Sequence, residues 1–115
     1  MEIREVSGMS EYVIALTTCP TDKSRELGDH LVKKRVCACV NIVPRVLSIY
    51  HWKGDIVTED ESLLIMKTRG DSKHKLWTSL KEKHPYEVPE FVVLEIQGGS
   101  EDYLNWISSR IHTVE

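Results

Sequence analysis

The densest concentration of chemically capable side chains is the run His84-Pro85-Tyr86-Glu87-Val88-Pro89-Glu90. Each proline restricts the residue before it to extended backbone, so the connection is stiff and holds His84, Tyr86 and Glu87 at set positions. An imidazole is a borderline metal ligand or a proton donor near neutral pH, and a carboxylate is a hard oxygen acceptor. The segment reads as a preorganised site. The competing reading is a rigid helix-to-strand connector whose polar groups satisfy backbone.

The cysteines supply softer chemistry. Cys37-Ala38-Cys39 opens a stretch rich in Val and Ile, and strand spacing would bring both sulfurs to one face, near enough to share an ion such as Cu(I). Two ligands are an incomplete set and C-x-C is not zinc-knuckle spacing, so core packing competes, more strongly at Cys37 than at Cys39. Cys19 precedes Pro20 and a predicted helix, whose N-terminus can lower a thiol pKa and favour ligation or redox sensitivity. A small half-buried residue at a strand end is the alternative there. Nothing in the sequence puts His84 beside a sulfur, so no Cys–His catalytic pair is assigned.

Tyr50-His51-Trp52 alternates, with Tyr50 and Trp52 on one side as a ligand wall or interface, or as cross-strand packing. Glu59 and Glu61, two apart in a predicted strand, share a face and suit a cation or general acid–base chemistry, or are simply solvated. His30, His74 and His112 lack partner spacing and read as surface residues. The sequence has no phosphate-binding glycine loop, nucleophile elbow or H-E-x-x-H.

The elements that must position these groups follow from periodicity and punctuation. Tyr12–Thr18 is apolar, partly β-branched and closed by Pro20, a first strand. Leu27, Leu31 and Val32 recur at helical spacing and Lys33, Lys34 and Arg35 suit a C-terminus, so the spacing predicts a helix over Thr21–Arg35. A long hairpin runs from Cys37 to Trp52, turns at Lys53-Gly54 and returns through Thr68. Pro44 cannot donate to a ladder and marks a bulge or an unpaired edge. Gly70-Asp71-Ser72 leads to a helix carrying Leu76, Trp77 and Leu80 and ending near Lys83; Phe91–Ile96 is a fourth strand; Gly98-Gly99-Ser100 precedes a helix with Tyr103, Leu104, Ile107 and Ile111 on one side.

The resulting order, β-α-β-β-α-β-α, is the α+β ferredoxin-like split pattern with an added C-terminal helix. Right-handed crossovers put the first two helices on one face of an antiparallel sheet. Yet Val13–Leu16, Leu63–Met66 and Phe91–Leu94 are apolar at consecutive positions, so both faces require cover. Self-association is the economical source of that cover.

With 115 residues the chain forms one domain, 11–115, behind a short segment, 1–10, expected to fray. A net charge of -3 offers no basic excess for nucleic acid, and no apolar run approaches the ~20 residues of a membrane span. Three cysteines are too few and odd in number for a disulfide framework, and with no signal-like N-terminus they point to the cytoplasm.

Several blocks taken together carry a family resemblance. Thr17-Thr18-Cys19-Pro20, Ala38-Cys39-Val40-Asn41-Ile42, Ser48-Ile49-Tyr50 with Trp52 and Gly54, Lys67-Thr68, the His84–Glu90 run, and Asp102-Tyr103-Leu104 with Trp106-Ile107 make the chain resemble CutA, the divalent-cation tolerance proteins, over roughly Tyr12–Ile107. That resemblance implies a ferredoxin-like homotrimer similar in assembly to P-II signalling proteins. It also implies divalent-metal, notably copper, tolerance without an established reaction. It implies metal contact at Cys39 and His84 and a cleft between subunits lined by Tyr50, Trp52, Lys67, Glu87 and Tyr103; to these the reading of the residues adds Cys19 as a further ligand and Tyr86 as further lining. Lys83 stands where some members carry a second histidine, and Cys37 where the family more often has alanine.

The expected function is divalent metal binding by a trimer, with copper or another divalent cation as the ion and no organic cofactor. The alternative is a P-II-like signalling or scaffold module that takes a small anion or a partner protein in its clefts. No enzyme activity is expected. The partners are other copies of the chain and metal ions, not nucleic acid or membrane.

Overall fold

In the computed structural model of the protein, residues 11–112 are described, and the segment 1–10 expected to fray lies outside them. The order is β1 (Tyr12–Cys19), α1 (Thr21–Lys33), β2 (Cys39–Trp52), β3 (Asp55–Arg69), a short 3-10 turn over Gly70–Ser72, α2 (Lys73–Lys83), β4 (Val92–Glu95) and α3 (Glu101–Arg110). The strands form one antiparallel sheet in the order β2-β3-β1-β4. This is the expected split pattern.

Local chemistry sets the boundaries. Helix α1 stops two residues short of the predicted Arg35 because Arg35 adopts a φ of 57° and the Val36 N–H reaches back to the Leu31 carbonyl, a Schellman-type closure. Lys53 and Gly54 both have positive φ, 50° and 87°, as a two-residue hairpin turn matching the strand twist requires. Val43 opposes Leu63 but Val46 opposes Glu61, so β2 carries one extra residue at Pro44-Arg45. Arg45 absorbs the bulge with a φ of 63°, and Pro44 sits on an edge strand as anticipated.

Alternation then divides the sheet. Ala15, Cys19, Leu64 and Met66 point to the side covered by Leu27 and Leu31 of α1 and by Leu76, Trp77 and Leu80 of α2. Trp77 also packs on Phe91, ring centroids 4.9 Å apart. Within the core, Thr68 Oγ1 donates to the Val36 carbonyl at 2.8 Å, meeting the requirement that buried polar groups be paired.

The opposite face is only partly covered. Ile107 and Ile111 of the α3 region pack with Tyr12 and Ala38 at one end of the sheet, joined by a 2.8 Å hydrogen bond between the Tyr12 and Ser108 hydroxyls. Strand β1 ends its pairing at Cys19 opposite Ser62, so the part of the hairpin beyond Glu61 has no third strand. A two-stranded ribbon is marginal alone. This one exposes Leu47 at 62%, Ile49 at 65% and Ile56 at 69%. Among the described residues no helix is long and apolar enough to cross a membrane.

Leu31 is fully buried between sheet and helices, whereas Val32 beside it faces out. Leu31→Ala is expected to cost about 2–5 kcal/mol, and Val32→Ala no more than about 0.5 kcal/mol. Urea unfolding of both variants measures the contrast.

Candidate functional site

Between the hairpin ribbon, from Glu61 at its base out to Trp52 near its tip, and the 84–90 connection lies a cavity of about 680 Å³. The hairpin contributes Ile49, Tyr50, Trp52 and Glu61; the connection contributes Pro85, Tyr86, Glu87, Val88 and Glu90; Thr18 closes the end of β1. Among the described residues no Lys, Arg or His lines it.

Glu61 is its focus. The residue is 4% exposed, and its Oε2 accepts a 2.5 Å hydrogen bond from the Tyr86 hydroxyl. Its Oε1 makes no hydrogen bond among the described residues, and no Lys or Arg pairs with either oxygen. Among the described residues the buried side-chain polar atom without a partner is Thr17 Oγ1, so the free Oε1 of Glu61 keeps contact with the open cavity. Its field reaches several neighbours. Burial and then the hydrogen bond to Glu61 push the Tyr86 phenol far above its ordinary range. Burial first, and Glu61 second, raises the Glu90 carboxyl. Tyr50 donates to Glu59 Oε1, which pushes its phenol up to about 12. Both phenols are therefore locked as donors.

His84 has a different task. The backbone N–H of Tyr86 donates to His84 Nδ1 at 3.2 Å, so the proton belongs on Nε2, which donates to the Thr18 carbonyl at 2.9 Å. Burial lowers the pKa against the opposing influence of the Thr18 bond and of Glu61. Both nitrogens are thus committed to tying the start of the connection to the end of β1. The connector reading of this histidine fits the geometry, while Tyr86 and Glu87 do face the cavity as the site reading required.

The thiols depart from the expectation of an activated sulfur. Cys19 is fully buried, and burial together with the charges of Glu61 and Asp22 pushes its pKa up to about 11. The start of α1 does not offset this. Cys37 lies in the core ahead of β2, and burial, aided by Cys39, pushes it up to about 12. Cys39 is half-buried and its Sγ donates to Asn41 Oδ1 at 3.6 Å.

The structure brings some predicted residues together and separates others. Tyr50, Trp52, Tyr86 and Glu87 meet in the cavity. Cys39 pairs with Lys67, which pairs with Ile14, five positions from Cys19 along β1; that is roughly 17 Å along the sheet from the end at which His84 sits. Lys67 lies over the Tyr103 ring, 5.6 Å from its centroid, with Nζ 3.4 Å from the hydroxyl. These two form a separate cluster, about 20 Å along β3 from Glu61. Among the described residues no three His, Cys, Asp or Glu side chains converge to hold one ion. Sequence reasoning noticed Glu61 as half of a carboxylate pair but missed its burial and gave Glu90 no role of its own. Residue type gave no signal for the burial of Glu61, because the run Leu63–Met66 that follows is apolar at consecutive positions and the alternation of burial over Ser62–Thr68 exists only in the paired sheet.

Comparison with known proteins matches residues 13–110 to the family described as CutA1 divalent ion tolerance protein. A divalent-cation tolerance protein CutA of Thermus thermophilus is 42% identical over 97 residues, covering 84% of this chain and 94% of its own. CutA1 from Oryza sativa superposes with a TM-score of 0.88 at 34% identity, over 92% of this chain and 98% of that one. A PII-like CutA from Nostoc sp. PCC 7120 gives 0.83 at 37% identity, over 87% and 97%.

A histidine whose pKa falls on folding stabilises the protein above its ordinary 6.5 and loses that contribution as pH drops through 6.5 toward the lowered value. Urea midpoints at pH 7.5 and pH 5 are expected to fall further on acidification for the wild type than for His84→Gln. At pH 7.5 the variant is expected to be less stable by about 1–3 kcal/mol, from the lost pair of buried hydrogen bonds.

Proposed function

Because the chain belongs to the CutA1 divalent ion tolerance family, we propose that it works as a homotrimer binding divalent cations, copper(II) included, in the cavity beside Glu61. The carrying observation is the buried Glu61 carboxylate with one oxygen unclaimed and no cation in the wall. Glu61, Glu87 and Glu90 offer hard oxygen donors, which suit a divalent ion. Of the residues expected to ligate, His84 joins this set only by surrendering its bond to Thr18 or Tyr86, and Cys19 only by losing its proton. Cys39 joins only from a neighbouring copy. A ligand set completed across subunits accounts for the absence of a three-donor group within one chain.

The ribbon beyond Glu61 and the exposed apolar residues of β4, Val92 and Leu94, support the trimer, since burying them in neighbouring copies supplies the missing third strand and the missing cover. In that assembly Lys67 and Tyr103 of one copy approach the cavity of another, which unites the two halves of the expected cleft. Locked phenols, an imidazole with both nitrogens engaged and the raised pKa values of the buried Cys19 and Cys37 support action by binding. Three unpaired cysteines favour a cytoplasmic setting.

A second reading has its own support. Lys67 makes no ion pair among the described residues and lies against an aromatic ring, so a P-II-like module could take a small anion there. A thermal-shift screen of anionic metabolites that raises the melting point in the wild type, and not in Lys67→Met, would favour it.

Native mass spectrometry is expected to report three subunits for the wild type and a shift to single subunits for Leu94→Glu. Calorimetric titration with Cu(II) and Zn(II) is expected to give affinities lowered roughly tenfold or more in Glu61→Gln. Equal binding by both proteins would dispose of the metal site.

A further inference from the structure

The two helices that cover the sheet hold a polar cluster away from the cavity. The side chain of His30 on α1 is 16% exposed, and its Nε2 lies 3.2 Å from the Ser79 carbonyl oxygen and 3.4 Å from Glu82 Oε1, both on α2. One nitrogen thus faces two oxygens, one neutral and one charged. A single N–H aligns well with only one of them, and both distances sit at or beyond the long end of ordinary N–H···O bonds, roughly 2.7–3.2 Å. Lys34, one turn further along α1, approaches the same Glu82 oxygen at 3.5 Å. The plain alternative is a polar seam at the edge of the contact that Leu27 and Leu31 make with Leu76 and Leu80.

We infer that His30 Nε2, Glu82 Oε1 and the Ser79 carbonyl oxygen form a binding site for a divalent cation of the zinc(II) class that joins α1 to α2. Zinc takes imidazole nitrogen and oxygen ligands at about 2.0–2.2 Å in a tetrahedron, which sets its ligand atoms about 3.3–3.5 Å apart, close to the spacing seen here. The imidazole selects a borderline ion over magnesium or calcium, which take oxygen. On binding, the one proton of the neutral ring resides on Nδ1 and the Nε2 lone pair faces the ion. A helical carbonyl oxygen keeps a second lone pair for it, and water completes the set. Two side chains and one backbone oxygen make up the protein's share, so the site does not need three converging side chains. Glu82 is 47% exposed, which gives the ion a way in, and Lys34, 50% exposed, swings aside at little cost because exposed ion pairs are weak. The site lies on the helix-covered side of the sheet, away from the ribbon, the β4 residues and the α3 side through which copies are proposed to meet, so the trimer leaves it open. It shares no residue with the Glu61 cavity and goes beyond that reading.

Calorimetric titration of the full-length chain with zinc(II) at pH 7.5 is expected to show one ion per chain that His30→Gln and Glu82→Gln each remove. Glu61→Gln, which acts on the cavity ion, is expected to leave this one in place, so either site can fail without the other. Lys34→Met is expected to hold the ion roughly threefold or more tightly, because it removes the ammonium that competes for Glu82 Oε1. A purely structural seam gains nothing from that change. Magnesium(II) is expected to give no such step. In wild-type protein carrying isotope-labelled histidine, zinc(II) is expected to move the Nε2 resonance of His30. An unmoved His30 resonance at saturating zinc(II) overturns the proposal without requiring any variant to fold, and so does an equal number of zinc ions on the wild type and His30→Gln.

Discussion

Strand β1 is eight residues long, while β2 and β3 have fourteen and fifteen. Much else in the molecule follows from that mismatch. Where β1 stops, at Cys19 opposite Ser62, the hairpin continues as a ribbon with its backbone edges unpaired and its apolar side chains in water. The notch between the ribbon and the end of β1 is where the 84–90 connection crosses, and the cavity forms there. A longer β1 would fill the notch and pair the ribbon, removing both the cavity and the exposed edges.

The connection keeps its place through backbone hydrogen bonding organised by one imidazole. His84 ties Thr18 of β1 to the Tyr86 amide, and prolines on either side of the intervening residues limit what the chain can do between those ties. Tyr86 then delivers its hydroxyl to Glu61 across the notch at 2.5 Å. The charge-assisted bond holds half of the Glu61 carboxylate and leaves the other half addressed to the cavity. One short segment thus both anchors itself to β1 and holds one oxygen of Glu61 on β3.

The sulfurs illustrate how burial outweighs position. A cysteine just ahead of a helix has a favourable dipole, worth a few tenths to about 1 kcal/mol near a surface. Full burial beside the negative charges of Glu61 and Asp22 acts the other way on Cys19 and prevails, carrying the thiol up to about 11. The same cause, with less help from charge, governs Cys37. Oxygen, not sulfur, is what this end of the sheet presents.

Element order, the bulge at Pro44, the Lys53-Gly54 turn and the two-sided apolar strands were legible in the residues themselves, because period, proline chemistry and turn preference act over a few neighbouring positions. The stiffness of the 84–90 run and the aromatic pair Tyr50 and Trp52 were legible for the same reason. Helix α1 ended earlier than its charged residues suggested because a left-handed Arg35 closed it, a conformation that residue type alone does not announce. Only the tertiary structure decided which candidates meet. Cys39 and His84 fell at opposite ends of the sheet, the six cleft residues divided into two clusters, and Glu61 became the buried carboxylate on which the site centres. Those outcomes depend on strand register and on which strand ends first, and a distance between residues far apart in the chain exists only once the sheet is paired.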